Sequence, residues 1–260
     1  TSYIGCVGKD AFGEQLRAAA AGDGVAVHYL EDPETPTGTC AVLVKDHERS
    51  LVANVSAANC YALEHLHSEP IQKVVAATKV IYSAGFFLTV SPESMVELGK
   101  HCMEANKVFC MNLSAPFLPA VFKDQMHTVL PYCDIVFGNE SESAAYADAN
   151  GLEGATIQDV ALSIAKLPKA SATRARTVVL TQGPGNTIVC EGGKITEFAV
   201  PAIPDSEMVD VNGAGDAFVG GFLVMYMRGA STEECCRVGN YAAGKIIRTS
   251  GCVLSGTPDF

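Results

Sequence analysis

Residues 79–112, KVIYSAGFFLTVSPESMVELGKHCMEANKVFCMN, decide the fold class of this chain. The β-branched and aromatic residues of Lys79–Ser83 predict a strand, and Val108–Asn112 predicts a second one. The segment Ser91–Asn106 between them predicts a helix, because Ser stands at the N-cap, Pro at the first helical position and Glu in the first turn. A strand–helix–strand unit of this length joins two parallel strands of one sheet.

The same alternation of short β-rich runs and helical patterns continues along the chain. Further strands are predicted at Tyr3–Val7, Val25–Leu30, Ile135–Phe137, Val178–Thr181, Thr187–Cys190 and Ile195–Val200. Further helices are predicted at Ala11–Ala21, Glu142–Ala149, Ile157–Leu167, Ala214–Met227 and Thr232–Arg248. The alternation predicts a three-layer α/β/α fold, in which helices cover both faces of a parallel sheet.

Two predicted strands, Cys40–Val44 and Leu51–Val55, interrupt this alternation because no helix separates them. An antiparallel pair around the turn at residues 45–48 predicts a small β lid that projects from the sheet. We therefore expect part of a large α/β domain at 1–34, a lid segment at 35–58, and the rest of the large domain, with the site, at 59–260. Because the first residues already have the pattern of a strand, we expect upstream sequence to be missing.

Composition and charge argue against several classes of function. The net charge of −11 argues against a nucleic-acid polymer as partner, which requires clustered Lys and Arg. No apolar run reaches the ~20 residues of a membrane helix, and the longest run, Ala217–Met227, predicts a buried helix. The ten cysteines are scattered without a C-x2-C pair, so neither a zinc site nor a disulfide framework is expected. Reduced thiols that pack as small core residues favour the cytosol.

The segment Asp210-Val211-Asn212-Gly213-Ala214-Gly215-Asp216 is the first candidate for chemistry. Its glycines allow close approach of a ligand, and the N–H groups at the start of the next helix form an anion hole. Asp216, in the first turn, can accept a proton from a hydroxyl beside that hole. The structural alternative is a carboxylate that only favours the helix dipole.

Energetics indicate that the anion hole does not act alone. A helix N-terminus stabilises an anion by at most about 2 kcal/mol, whereas a thousandfold acceleration requires about 4 kcal/mol. Further positive groups are therefore expected, as is usual in phosphoryl transfer.

A second candidate is the pair Asn139 and Glu142, which follows the predicted strand Ile135–Phe137. Residues three apart on an opening helix face the same side. An amide and a carboxylate placed in this way can organise the water shell of Mg²⁺, which takes few protein ligands. The structural alternative is a helix cap with a Glu in the first turn.

Three more residues are candidates because of their places beside the predicted strands. Arg49 lies at the turn of the predicted lid, where it can swing over a transferring phosphate, although a solvated turn residue is the alternative. Phe86 and Phe117 follow predicted strands and can sandwich a planar base, with plain core as the alternative. Ligands of such sheets bind beyond the carboxyl ends of the strands, which is where Phe86 and Phe117 lie.

Together these segments resemble the ribokinase-like (PfkB) sugar and nucleoside kinases. Residues 210–216 resemble the C-terminal signature of that family, and residues 139–142 resemble its Asn-x-x-Glu motif. Within the family, the similarity is greatest to members that phosphorylate adenosine, and it covers essentially the whole chain. It is carried by PTGTC (36–40), RSLVAN (49–54), AANCY (57–61), AGFFLTVSPES (84–94) and NLSAPF (112–117).

The resemblance implies transfer of the γ-phosphate of ATP to the 5′-hydroxyl of adenosine, which gives AMP in purine salvage. Asp216 would deprotonate that hydroxyl, and Arg49 would cover the phosphates. Asn139 and Glu142 would act on the side of Mg²⁺ and phosphate. The anion hole would be lined by Asn212, Gly213, Ala214 and Gly215. The adenosine site would be formed by Cys40, Leu51, Ala53, Val55, Phe86, Phe117 and Asn212. ATP would be bordered by Thr181, Gly183, Asn240 and Ala243, although the family often has His where Asn240 stands.

The resemblance also implies cofactors and a setting. ATP and Mg²⁺ are expected, with K⁺ near the anion hole and Asp210 as its neighbour, and no direct protein ligand of a metal is assigned. We expect a monomer in the cytoplasm, with the nucleus as a further compartment. The family's N-terminal region, with its first strand and an Asp that grips the ribose, is expected to be missing. Two alternatives stay open: a related kinase for another nucleoside or a sugar, and a catalytically incomplete fragment that binds nucleotide.

Overall fold

A computed structural model describes residues 1–45 and 48–253 of the chain. In chain order, its elements are β1 (Ser2–Gly8), α1 (Ala11–Gly22), β2 (Ala26–Asp32), β3 (Thr39–Lys45), β4 (Glu48–Asn54), α2 (Leu63–Leu66), α3 (Glu69–Ala77), β5 (Val80–Ser83), α4 (Pro92–Glu104), β6 (Val108–Asn112), α5 (Phe117–Val121), α6 (Lys123–Val129), β7 (Ile135–Asn139), α7 (Glu140–Ala149), α8 (Ile157–Lys166), β8 (Thr177–Gln182), β9 (Gly185–Glu191), β10 (Lys194–Phe198), α9 (Ala214–Met227) and α10 (Thr232–Ile247). The strands and helices alternate through most of this order, as the sequence predicts.

The central sheet has the strand order β10-β9-β8-β7-β6-β5. Strands β5 to β8 are parallel, which confirms the prediction from residues 79–112 for this part of the sheet. The prediction of a parallel sheet is wrong for β9 and β10, which join antiparallel. The reason is local, because β9 and β10 are connected by the two-residue loop Gly192-Gly193, with φ of 58° and 78°. A loop of this kind closes a hairpin and leaves no room for a crossover helix.

Strand β6 illustrates why the sheet is covered on both faces. Phe109 and Met111 lie in the core cluster shared with α4, α6, α7 and α8. Val108 and Cys110 lie in the opposite cluster, with α9 and α10. Because successive side chains of a strand point to opposite faces, a strand that is apolar throughout must be buried between two layers of helices. This arrangement confirms the three-layer α/β/α fold.

Two smaller sheets accompany the central one. Strands β1 and β2 pair in parallel from Ser2↔Ala26 to Gly8↔Asp32, with α1 as their crossover. Strands β3 and β4 form an antiparallel hairpin from Thr39↔Asn54 to Lys45↔Glu48, and this hairpin is separate from the central sheet, as predicted for the lid strands. Two residues of the predicted turn, Asp46 and His47, lie outside the described residues.

Four helices were not predicted from the sequence, namely α2, α3, α5 and α6. The start of α4 also differs in detail from the prediction. Ser91 is its N-cap, but the Ser91 hydroxyl makes no capping hydrogen bond and donates to the Glu93 carboxylate at 2.7 Å instead.

The described part of the chain contains no helix that is both long and apolar enough to cross a membrane. All ten cysteines are free thiols. Seven of them are buried, as expected for small core residues, whereas Cys40 and Cys252 are exposed and Cys60 is half-buried.

Candidate active site

The start of α9 has the backbone geometry of an anion hole. Gly213, the N-cap, has φ of 76°, and a Cβ added there would lie 2.5 Å from the Cys252 sulfur, so a side chain fits neither the conformation nor the space. The Asn212 N–H donates to the Asp210 carboxylate at 2.8 Å. The Ala214 N–H donates to the Val211 carbonyl at 3.3 Å. The N–H groups of Gly215 and Asp216, which follow, have no carbonyl partner inside the helix and are directed at whatever binds before it.

Helix α10 holds this segment in place. The N–H groups of Val209 and Asp210 donate to the Ile247 carbonyl, at 2.9 and 3.2 Å, where α10 ends. Further along α9, a Cβ on Gly221 would lie 2.6 Å from the Val238 carbonyl of α10. Gly221 thus lets α9 pack closely against α10.

Asp216 lies in the first turn of α9, at the surface and beside the anion hole. Although the residue is exposed, partial desolvation of its carboxyl by the surrounding protein raises its pKa. Burial of the two side chains is the main reason why the pKa values of Tyr3 on β1 and Tyr82 on β5 are raised. The negative charge of Asp216 adds to both shifts. The Asp216 carboxyl therefore lies within electrostatic range of Tyr3, of Tyr82 and of Glu142, which follows the carboxyl end of β7.

Asn139 and Glu142 form a capping box at the start of α7. The Asn139 side chain accepts from the Glu142 N–H at 2.9 Å, and the Glu142 carboxylate accepts from the Asn139 N–H at 3.0 Å. The Asn139 amide also donates to Glu142 at 2.9 Å. The alternative interpretation of this pair, a helix cap, is therefore correct. A cap does not exclude a second role in phosphoryl transfer.

The electrostatics of Glu142 fit a nearby cation. The residue is 5% exposed, and its pKa is raised to about 7, chiefly by burial. The charged side chains that act on it, Glu140 and Asp216, are both negative and contribute to this increase. A buried carboxylate among negative charges favours a divalent cation, and one that keeps its waters needs few protein ligands. The described residues contain no cluster of three or more His, Cys, Asp or Glu that could hold a metal directly.

Phe86 and Phe117 lie together at the protein surface, so the alternative of plain core is wrong. Their rings are 6.0 Å apart at 52°, and the residues are 51% and 47% exposed. The loops that carry them are joined by the Gly85 N–H, which donates to the Ser114 hydroxyl at 2.8 Å. The rings contact each other at a tilt rather than as two parallel walls. A base can therefore stack on their exposed faces, while a sandwich requires them to separate.

The hairpin places three predicted adenosine residues on one of its faces. Cys40 pairs with Ala53, and Val42 pairs with Leu51, and paired residues share a face. Leu51 and Val55, which follows β4, are exposed. The backbone of Arg49 belongs to β4 and pairs with Val44, whereas the Arg49 side chain lies outside the described residues.

The residues expected to border ATP lie on two elements. Thr181 ends the parallel part of β8 and donates to the Gly138 carbonyl at 3.4 Å, and Gly183 follows in the turn with φ of 54°. Asn240 and Ala243 lie on the second half of α10, which runs toward the anion hole. Both elements thus reach the end of the sheet where Asp216 lies.

Three residues near the site were not singled out from the sequence. Ser114 has φ of 65° and joins the two Phe loops. Tyr82 buries its hydroxyl beside Asn112 and makes no hydrogen bond with the described residues. Tyr3 lies near Asp216 although more than 200 residues separate them. Tyr82 lies near the end of β5 and Ser114 follows β6, so the rule that ligands bind beyond strand ends could have identified both as site residues. No sequence pattern relates Tyr3 to Asp216.

An anion hole with an adjacent carboxylate, at the carboxyl edge of a three-layer sheet, defines a phosphotransferase for small molecules. The profile of the family described as "pfkB family carbohydrate kinase" matches residues 1–259, and the chain belongs to this family.

Several similar proteins are adenosine kinases. The chain is 49% identical to adenosine kinase 1 of Arabidopsis thaliana over 260 residues. This alignment covers 100% of this chain and 76% of the Arabidopsis protein. It is 43% identical to the adenosine kinase of Schizosaccharomyces pombe, over 98% of this chain and 75% of the relative.

Solved structures agree with the fold. The structure of Anopheles gambiae adenosine kinase in complex with P1,P4-di(adenosine-5) tetraphosphate matches with a TM-score of 0.96 and 40% identity, over 100% of this chain and 76% of that one. Adenosine kinase from Schistosoma mansoni in complex with 2-fluoroadenosine matches with a TM-score of 0.95 and 35% identity, over 98% and 75%. The ribokinase-like fold expected from the sequence is confirmed.

Proposed function

We propose that this protein is an adenosine kinase, which transfers the γ-phosphate of ATP to the 5′-hydroxyl of adenosine and releases AMP and ADP. The observation that carries the proposal is the position of Asp216, exposed in the first turn of α9 and beside the anion hole that Gly213 opens. The adenosine kinases named above, at 43 to 49% identity, support the choice of substrate.

In the proposed mechanism, Asp216 accepts the proton of the ribose 5′-hydroxyl as that oxygen attacks the γ-phosphorus. The N–H groups at the start of α9, from Gly213 to Gly215, hold the negative charge that develops on the transferred phosphoryl group. The raised pKa of Asp216 is closer to neutral pH than the pKa of an ordinary Asp. The carboxylate is therefore a stronger base and is still largely ionised when it removes the proton.

The other groups bind and orient the substrates. The exposed rings of Phe86 and Phe117 support stacking of the adenine base. The hairpin face with Cys40, Leu51 and Ala53 covers the nucleoside and excludes water, and Arg49 is assigned to the phosphates. Mg²⁺, held through waters near Asn139 and Glu142, would neutralise charge on the transferred phosphate.

Steady-state kinetics of the purified protein test the proposal. With ATP and Mg²⁺, we expect AMP from adenosine at a higher kcat/KM than the products from guanosine or ribose. Faster turnover of guanosine or ribose would instead favour a related kinase. Binding of ATP without any turnover would favour a nucleotide-binding protein without catalysis.

Replacing the base tests its assigned role. Asp216→Ala is expected to lower kcat by about 10²- to 10⁴-fold, as is typical when a general base is lost, while circular dichroism and the unfolding midpoint stay close to wild type. Glu233→Gln is a matched control, because Glu233 is also a first-turn carboxylate, on α10. If the two substitutions have equal, small effects, then Asp216 serves only the helix dipole.

We also propose a monomer that acts in the cytoplasm, and a K⁺ site near Asp210. Size-exclusion chromatography with light scattering measures the oligomeric state, and microscopy of the tagged protein shows the compartment. Turnover in KCl compared with NaCl at equal ionic strength tests the K⁺ site, and equal rates would exclude a K⁺ requirement.

A further inference from the structure

The two connections at the base of the β3–β4 hairpin are joined to each other. The chain enters the hairpin through residues 36–38 and leaves it through residues 55–57. The Ser56 hydroxyl donates to the Pro36 carbonyl at 2.6 Å, and the Ala57 N–H donates to the same oxygen at 3.0 Å. Movement of one connection therefore moves the other.

Thr37 ties this base to the body of the protein. It is 4% exposed, and both its N–H and its hydroxyl donate to the Asp10 carboxylate, each at 2.7 Å. The Thr37 hydroxyl also accepts from the Gly8 N–H at 2.9 Å. Asp10 has a second task, because it caps α1 by accepting from the Gly13 N–H at 2.9 Å. One carboxylate thus joins the end of β1, the start of α1 and the base of the hairpin.

The β3–β4 hairpin needs this connection to the rest of the protein, because it is not part of the central sheet. A two-stranded ribbon is marginally stable on its own in water, and β3 and β4 pair only with each other among the described strands. Its large apolar residues Leu43, Leu51 and Val52 are exposed. The direction in which the hairpin projects is therefore set at its base, where hydrogen bonds to an ionised carboxylate are stronger than neutral ones.

We propose that Asp10 is a positioning residue, which holds the hairpin through Thr37 so that the face with Cys40, Leu51 and Ala53 meets the nucleoside. The proposal rests on the proposed function for the identity of that nucleoside. Asp10 is not a catalytic residue, because its own contacts are with Gly13 and Thr37 and not with the site.

Asp10→Asn isolates this tie from the helix cap. Asn is as good an N-cap as Asp, so its amide oxygen can keep the bonds to the Gly13 N–H and the Thr37 hydroxyl. The amide nitrogen then faces the Thr37 N–H, donor against donor, and that bond is lost. Thr37→Val removes the hydroxyl instead, and Thr37→Ser restores it.

Asp10→Asn and Thr37→Val are expected to raise KM for adenosine about tenfold, equivalent to about 1.4 kcal/mol, while KM for ATP stays within about twofold. Thr37→Ser should restore the wild-type KM. The matched control is Asp159→Asn, because Asp159 accepts from the N–H and hydroxyl of Thr156 in the same way, in the capping box of α8. It should change neither KM. A KM for adenosine that stays within twofold in Asp10→Asn, or a parallel rise of both KM values, overturns the proposal.

Amide hydrogen exchange tests the tie without turnover. In Asp10→Asn, the amides of β3 and β4 should exchange at least about tenfold faster, because local opening costs less free energy, while those of α8 keep their rates. Unchanged exchange in the hairpin would overturn the proposal. If wild type fails to phosphorylate adenosine, the proposed function falls, and the exchange rates still decide whether Asp10 holds the hairpin.

Discussion

Arg176 is a single residue whose burial has a large structural consequence. It is 2% exposed and donates to five backbone carbonyls, and among the described residues it donates to no carboxylate. Two of these carbonyls, of Ile164 and Leu167, end α8, where a positive charge is favoured by the helix dipole. The residue precedes β8 and so lies at the end of the sheet opposite Asp216.

Arg176→Met is expected to lower the free energy of unfolding by at least about 3 kcal/mol, because several buried carbonyls lose their donor. Denaturant titration measures the loss. The control is Arg237→Met, whose exposed ion pair with Glu234 should contribute less than about 1 kcal/mol. Because Arg176 is remote from the site, both KM values should remain at wild type; a selective change in either would show that the residue also shapes the site.

Glu142 combines a structural and a functional demand on one carboxyl. Its pKa of about 7 in the folded protein, against 4.5 for an ordinary Glu, means that the folded state prefers the protonated form. The resulting stability is present below pH 4.5 and is lost as pH rises through 7. At pH 8 the ionised group therefore destabilises the fold by up to about 3 kcal/mol.

Glu142→Gln should raise the free energy of unfolding at pH 8, because Gln can keep the capping box without the buried charge. The gain should vanish near pH 4. Turnover should fall and the Mg²⁺ concentration needed for half-maximal rate should rise. Glu233→Gln, an exposed first-turn carboxylate on α10 that is not among the charges acting on Glu142, is the control. Destabilisation by Glu142→Gln at pH 8 would contradict this account of the raised pKa.

At the scale of elements, prediction succeeded where burial dictates the pattern. Strand β6 and helix α9 have the predicted bounds, since β6 is apolar on both faces and α9 follows a glycine-rich start. Helices α5 and α6 were missed because they are short and meet at Phe122, which serves as the end of one and the N-cap of the other. Candidates such as Phe86 and Asn139 were singled out because they follow predicted strands, and their roles stay predictions. The approach of Tyr3 to Asp216 depends on tertiary packing that no local pattern encodes.

The contact between α9 and α10 provides a test within one helix. A Cβ on Gly221 would lie 2.6 Å from the Val238 carbonyl, whereas a Cβ on Gly220 would meet no atom within 4 Å. Gly221→Ala is expected to destabilise the protein by about 1 to 3 kcal/mol, because backbone must move. Gly220→Ala should stabilise it by up to about 1 kcal/mol, through helix propensity. Thermal unfolding of both variants measures the difference, and equal effects would mean that the two helices are not in close contact.

At the scale of the whole molecule, two carboxyls with raised pKa values lie near each other at one edge of the sheet. Desolvation raises the pKa of both Asp216 and Glu142, and the charge of Asp216 adds to the effect on Glu142. Ionised Asp216 therefore favours the protonated form of Glu142.

The acidic limb of the kcat/KM profile should accordingly lie above the pH at which ordinary carboxyls titrate, because Asp216 must be ionised to act as a base. Activity should also fall as pH decreases through about 7, because protonation of Glu142 removes the charge that attracts Mg²⁺. In Glu142→Gln the fall near pH 7 should disappear, because Gln does not titrate. A limb at pH 4 in wild type, or a fall near pH 7 that persists in the variant, would contradict these roles.

The course of α9 and α10 has a practical consequence for engineering. Helix α9 leads away from the anion hole and α10 returns to it, so the turn that joins them, residues 228–231, lies far from the chemistry. The helix pair is fixed by its own contact at Gly221 and by the Ile247 carbonyl. A fluorescent label or an affinity tag inserted in this turn therefore reports on the protein without touching its substrates, and natural variation in loop length is best accommodated there.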